Sequence, residues 1–124
     1  MRVAIVDDDR AMTAQLSDLI SEELAHLGDR GFKITVFHSG EEFLASFEKG
    51  VFDLIFLDIF MKELTGIDVA YEIRKEDTQV MIAFCTSSND YASESYDVGA
   101  RHYLRKPSPK RAFPKCSSVW IWMP

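Results

Sequence analysis

The sequence predicts an α/β fold built on a doubly wound, five-stranded parallel sheet. Three observations carry this expectation. Short apolar runs alternate with helical stretches along the first 107 residues. Several of the runs are apolar on both faces, as strands covered by helices on both sides must be. Three of them end in charged residues, and the carboxyl edge of an open parallel sheet is where such folds bind ligands.

Residues 2–7 read as the first strand, short, β-branched and apolar on both faces. Residues 10–27 read as an amphipathic helix, because Met12, Leu16, Leu19, Ile20, Leu24 and Leu27 recur at helical spacing and Gly28 supplies the stop. Phe32, Ile34 and Val36 alternate through a second strand over 32–37. Ser39 and Glu42 then predict a capping box for a short helix ending near Gly50. Residues 52–58 are the third strand, and Gly66 to Lys75 the third helix, with Ile67, Ala70 and Ile73 facing inward. A fourth strand over 79–85, a Ser-rich helix from Asn89 to Val98 ended by Gly99, and a fifth strand over 101–105 complete the body. No internal repeat appears, and strand–helix alternation at this spacing implies right-handed crossovers and a doubly wound sheet.

The chain has 124 residues, enough for one domain with a substantial core. Its hydrophobic content of 47% and charged content of 27% are those of a soluble globular protein. No apolar run is long enough to span a bilayer and no signal-peptide pattern opens the chain, so we expect a cytoplasmic protein with no membrane partner. Cys85 and Cys116 have no disulfide or metal spacing, and Cys85 reads as a small core residue. His26, His38 and His102 have no partner spacing either and read as surface or boundary residues. Residues 1–107 hold 11 Lys+Arg and 20 Asp+Glu, a net −9, whereas residues 108–124 hold three Lys+Arg and no acid. A body this acidic is not expected to bind nucleic acid directly.

The chemistry gathers at strand ends. Asp7 and Asp8 close the run Val3-Ala4-Ile5-Val6, Asp58 closes the run ending Ile55-Phe56-Leu57, and Lys106 closes Tyr103-Leu104-Arg105. Asp9 suffices to cap the following helix, which leaves Asp7 and Asp8 for another use. Three carboxylates meeting at one edge would repel one another without a divalent cation, and an oxygen-only cluster suits Mg²⁺ better than Zn²⁺.

These pieces, taken in order, make residues 1–107 resemble the receiver domain of two-component response regulators, which has a flavodoxin-like fold. They are Ile5-Val6-Asp7-Asp8-Asp9, Asp58-Ile59-Phe60-Met61 with Gly66 after it, Thr86-Ser87, and Tyr103-Leu104-Arg105-Lys106-Pro107. Tyr91-Ala92 and Val98-Gly99-Ala100 further resemble the subfamily whose output module is the LytTR DNA-binding domain. The resemblance implies that Asp58 is the phosphoacceptor for a sensor histidine kinase. It implies Mg²⁺ held by Asp8, Asp58 and the Phe60 backbone carbonyl, with Asp7 acting through a water. It implies Lys106 and Thr86 as partners of the phosphoryl oxygens, Tyr103 as a residue that rotates inward with Thr86, and a cis Lys106-Pro107 peptide. Such a domain is a switch that assists its own phosphorylation and dephosphorylation rather than an enzyme.

Two alternatives sit beside this reading. A pseudo-receiver would bind partners without phosphorylation, but the full set Asp7, Asp8, Asp58, Thr86 and Lys106 speaks against it. A Mg²⁺-dependent aspartyl-phosphate hydrolase resembling the haloacid-dehalogenase group needs a second acid two residues after the nucleophile, where Phe60 stands. Two departures from the family pattern are also plain. Lys62 replaces the usual proline after Met61, which leaves that loop less rigid. Residues 108–124 hold both tryptophans and three of the four prolines, with no amphipathic period. Pro114 would break a helix there, so the usual fifth helix is expected to be missing or replaced by an atypical tail. No effector domain is expected within these residues. The segment Val119-Trp120-Ile121-Trp122 is expected to cover the face left bare, or to pair with another chain and give a homo-oligomer.

Overall fold

Strands β1 (Arg2–Val6), β2 (Lys33–Phe37), β3 (Leu54–Leu57), β4 (Met81–Thr86) and β5 (His102–Arg105) form one parallel sheet in the order β2-β1-β3-β4-β5. This computed structural model describes residues 1–61, 64–86, 97–100 and 102–105, with Thr86 and residues 102–105 described by backbone alone. Helices α1 (Arg10–His26), α2 (Gly40–Ser46) and α3 (Gly66–Glu76) make the crossovers between the first four strands.

The period-two alternation of a strand divides the core in two. Val3 and Ile5 of β1, Leu54 and Phe56 of β3, and Ala83 and Cys85 of β4 pack with Leu16, Ile20 and Leu24 of α1. Ala4, Val6, Ile55, Leu57, Ile82 and Phe84 point the other way, onto Phe43 of α2 and Val69, Ala70 and Ile73 of α3. Every residue of β3 is buried. Phe43 is fully buried and sits edge-on to Phe37, with ring centroids 5.1 Å apart, and beside Phe47 and Phe52.

Local signals behave as their chemistry requires. Asp9 is the N-cap of α1, its carboxylate accepting from the Met12 N–H at 3.1 Å. The helix ends in a Schellman motif: Gly28 takes φ +87°, its N–H donates to the Ala25 carbonyl, and the Asp29 N–H donates to the Leu24 carbonyl. Ser39 caps α2 as expected, but the reciprocal half of the box differs. The Glu42 carboxylate accepts from the His38 N–H at 3.4 Å, one residue before the cap. A complete capping box forms instead at α3, between Thr65 and Asp68. The third strand is shorter than 52–58, because Phe52 and Asp53 lead into β3 and Asp58 follows it. The helix expected from Asn89 to Val98, Lys62, the Lys106-Pro107 peptide and the tail lie outside the described residues, apart from residues 97 and 98.

Candidate functional site

The sheet order decides where ligands meet. From β1 the chain runs out to the edge strand β2 and then returns to β3, which opens a crevice between the carboxyl ends of β1 and β3. Asp7 and Asp8 follow β1 and Asp58 follows β3. Backbone bonds place both ends: the Asp7 N–H donates to the Phe37 carbonyl at 3.0 Å, and the Asp58 N–H to the Val6 carbonyl at 2.9 Å. Carboxylate oxygens of Asp7, Asp8 and Asp58 then lie within 4.8 Å of one another. Asp7 is 3% exposed and Asp58 6%, whereas Asp8 opens to solvent.

Burying two carboxylates this close costs energy unless donors or a cation meet them. Part of the need is met by backbone. The Asp9 N–H donates to Asp7 Oδ1 at 2.9 Å, and the Phe60 N–H reaches Asp58 Oδ1 at 3.4 Å. The donor set is oxygen only, with no thiolate or imidazole among the three. That set fits a hard divalent cation, so the residues present are compatible with Mg²⁺.

The other expected site residues are placed in part. Phe60 follows Asp58 by two positions and is 44% exposed. Thr86 ends β4 in register with Arg105 of β5, and Tyr103 pairs with Phe84, so both lie towards the sheet edge that carries the carboxylates. Lys106 lies outside the described residues. His38 is half-buried beside the cluster, its Nδ1 3.3 Å from the Asp7 carbonyl oxygen, a proximity its sequence position did not reveal. Gly66, already part of the Asp58-Ile59-Phe60-Met61 motif, gains a contact there that the sequence did not show, and Thr65 was not singled out in the sequence. Gly66 donates its N–H to the Ile59 carbonyl at 2.9 Å, tying α3 to the backbone just past Asp58.

The opposite edge of the sheet holds a groove of about 730 Å³, lined by Met1, Arg2, Asp29, Asp53 and Asp77 among others. Its carboxylates already have partners. The N-terminal ammonium, 2.8 Å from Asp29, holds that carboxyl below its usual range. Burial pushes the Asp77 carboxyl up, but N–H donors from Gln79, Val80 and Gly50 outweigh it and hold it low. Burial likewise opposes, and Arg2 overcomes, a lowered Asp53. This edge is a structural polar network, and the chemistry belongs to the other one.

Comparison with known proteins agrees with the geometry. The family model described as the response regulator receiver domain matches residues 3–115. The transcriptional regulatory protein CpxR of Klebsiella pneumoniae is 35% identical over 107 residues, which are 86% of this chain and 43% of that protein. The sensory transduction protein LytR of Staphylococcus epidermidis is 33% identical over 110 residues, 89% of this chain and 42% of that one. The chain thus spans less than half the length of these relatives. The solved structure of TrrA from Thermotoga maritima in complex with Mg²⁺-BeF superposes with a TM-score of 0.77 at 27% identity, covering 99% of this chain and 98% of that one. The non-phosphorylated HemR receiver domain from Leptospira biflexa shares the fold, with a TM-score of 0.82 at 19% identity, over 99% of this chain and 95% of that one. Among the described residues no helix is long and apolar enough to cross a membrane. With the carboxylates gathered at the β1–β3 crevice and a family match over most of its length, this chain belongs to the response regulator receiver domain family of two-component signal transduction.

Proposed function

We propose that the chain is a phosphorylation-dependent switch in which Asp58 accepts a phosphoryl group from a sensor histidine kinase. The observation that carries this reading is the convergence of Asp7, Asp8 and Asp58 from two strand ends to within 4.8 Å. An Asp58 carboxylate oxygen attacks the phosphorus of a phosphohistidine, the phosphorus–nitrogen bond breaks, and the electron pair leaves with the imidazole. The product is an acyl phosphate on Asp58. Such transfer asks little covalent work of the protein and much positioning and charge neutralisation.

Asp8, Asp58 and the Phe60 carbonyl would hold Mg²⁺, with Asp7 acting through a water. When bound, the ion supplies positive charge between the carboxylates and the incoming phosphoryl oxygens. Lys106 pairs with those oxygens as a compact point charge. The Thr86 hydroxyl hydrogen-bonds one of them, and Tyr103 moves inward as Thr86 does. We assign the receiver to residues 1–107 and treat residues 108–124 as an appended tail. The family match runs on to residue 115 and so takes in part of that tail.

The longer relatives include proteins named as transcriptional regulators, which supports transcription control as the output of a full-length cytoplasmic protein. Both LytR and CpxR are among the matches, and the LytTR-type assignment rests on the Tyr91-Ala92 and Val98-Gly99-Ala100 pieces. The expected assembly is a homo-oligomer whose contacts change with phosphorylation.

Incubation with acetyl phosphate and Mg²⁺, followed by intact mass measurement, tests the reading. One phosphoryl group is expected on the wild-type chain, none on Asp58→Asn, and none in excess EDTA. Labelling of Asp58→Asn, or labelling indifferent to EDTA, overturns the assignment.

A further inference from the structure

Helix α3 begins in contact with the backbone of the residue read as phosphoacceptor. A Cβ built on Gly66 would lie 2.3 Å from the Asp58 carbonyl oxygen, 2.9 Å from its carbonyl carbon and 2.9 Å from the Ile59 Cα. All three are backbone atoms, which cannot swing aside as a side chain does. The φ angle at Gly66 is not positive, so close approach rather than conformation demands the glycine. The Gly66 N–H closes the contact by donating to the Ile59 carbonyl at 2.9 Å. Thr65 fixes the same turn from outside. Its Oγ1 accepts from the Asp68 N–H at 3.2 Å, and its own N–H donates to Asp68 Oδ2 at 3.3 Å.

We propose that the first turn of α3 is a positioning element for the site, setting the backbone of Asp58, Ile59 and Phe60. That stretch carries the Asp58 carboxylate and the Phe60 N–H that reaches Asp58 Oδ1. A buttress of backbone against backbone holds this strand end without a side chain that could adopt a second rotamer. The proposal rests on the phosphoacceptor reading above. Gly40 provides the contrast. A Cβ there would meet Val69 Cγ2 of α3 at 2.6 Å and Cβ of Leu64, just before that helix, at 3.2 Å, both side-chain atoms. Gly40 is thus a packing glycine, and Gly66 is a site glycine.

Adding a methyl at Gly66 must open the 2.3 Å approach to at least 3.0 Å. A shift of that size at reacting groups lowers rates by about tenfold to 100-fold. The experiment compares the full chain with Gly66→Ala, Gly40→Ala and Thr65→Ala. It measures Mg²⁺ affinity by calorimetric titration, the acetyl phosphate labelling rate by mass, and melting temperature. Gly66→Ala is expected to weaken Mg²⁺ binding and slow labelling by about tenfold or more. Thr65→Ala, which loosens the turn without adding bulk, is expected to weaken Mg²⁺ binding about two- to fivefold. Gly40→Ala is expected to lower the melting temperature and leave the Mg²⁺ affinity within about twofold of wild type, because its methyl meets Val69 and Leu64 and not the Asp58–Ile59 backbone. A labelled wild type with a Gly66→Ala variant of unchanged Mg²⁺ affinity overturns this proposal alone. So does a Gly40→Ala variant that loses as much Mg²⁺ affinity for the same drop in melting temperature. If Gly66→Ala does not fold, Thr65→Ala decides, and wild-type affinity in it overturns the proposal. A wild-type chain that neither binds Mg²⁺ nor takes label overturns the phosphoacceptor reading and this inference with it.

Discussion

Asp8→Asn should make the metal-free protein more stable while weakening its response to Mg²⁺. The carboxylate oxygens of Asp7, Asp8 and Asp58 lie within 4.8 Å of one another. Two unit charges at that separation repel by about 0.9 kcal/mol under water-like screening and about 3.5 kcal/mol at an effective dielectric constant of about 20. Asp8 is exposed, so the screened end of that range applies to both pairs it makes, about 2 kcal/mol in all. A domain of this length shifts its melting temperature by about 4 °C per kcal/mol, which predicts a rise of about 8 °C in EDTA. Added salt should shrink the difference, as it does for any exposed charge. The wild type should gain about 2.7 kcal/mol when Mg²⁺ reaches about 100 times its dissociation constant, and the variant clearly less, having lost a ligand of the proposed set. Scanning calorimetry with chelator and with millimolar Mg²⁺ makes the measurement. Equal melting temperatures in EDTA would show that the cluster is not under charge strain. Equal Mg²⁺ responses would remove Asp8 from the site.

Three further outcomes are expected away from the carboxylates. Arg74 donates to the carbonyls of Asp77, Val80, Val98 and Gly99, joining the end of α3 to the lead-in of β4 and to the turn at Val98 and Gly99, and Arg74→Met should cost about 3 kcal/mol in urea unfolding. Arg74→Lys should recover less than half of this, because one ammonium cannot span four acceptors, and full recovery would refute the clamp. Asp77 has a carboxyl held below its usual range, so its stability contribution is present at neutral pH and fades as pH falls through that lowered value. Asp77→Asn should therefore lose about 1–3 kcal/mol at pH 7 and converge on the wild type in acid, and a deficit independent of pH would contradict the linkage. Phe43→Ala should cost about 3–5 kcal/mol, a large share of a domain's total stability, and a loss below 1 kcal/mol would mean the cluster of Phe37, Phe43 and Phe52 is not packed as described.

The sequence by itself determined the class of fold and the identity of the carboxylates. Strands buried on both faces must read as short apolar runs, and helices packed on one side must repeat at helical spacing, so β1 to β4 and α1 to α3 were legible to within a few residues. Asp7, Asp8 and Asp58 were legible because a charge ending a buried run has few structural uses. Boundaries were less so: Phe52 and Asp53 extend an apolar pattern, yet only backbone pairing decides where a strand begins. The Ser39 box was predicted from residue types and came out half-formed, since the reach of the Glu42 carboxylate depends on how the loop from β2 approaches. What the tertiary structure alone decided is distance. Only the β2-β1-β3 order brings the end of β1 against the end of β3, and so turns three separated acids into one cluster within 4.8 Å. The same packing lays Gly66 on the Asp58 carbonyl and Arg74 against the carbonyls of Val98 and Gly99. The residue types at these positions were legible, but their contact distances are set by how helices settle on a twisted sheet, and no local pattern of residues encodes those.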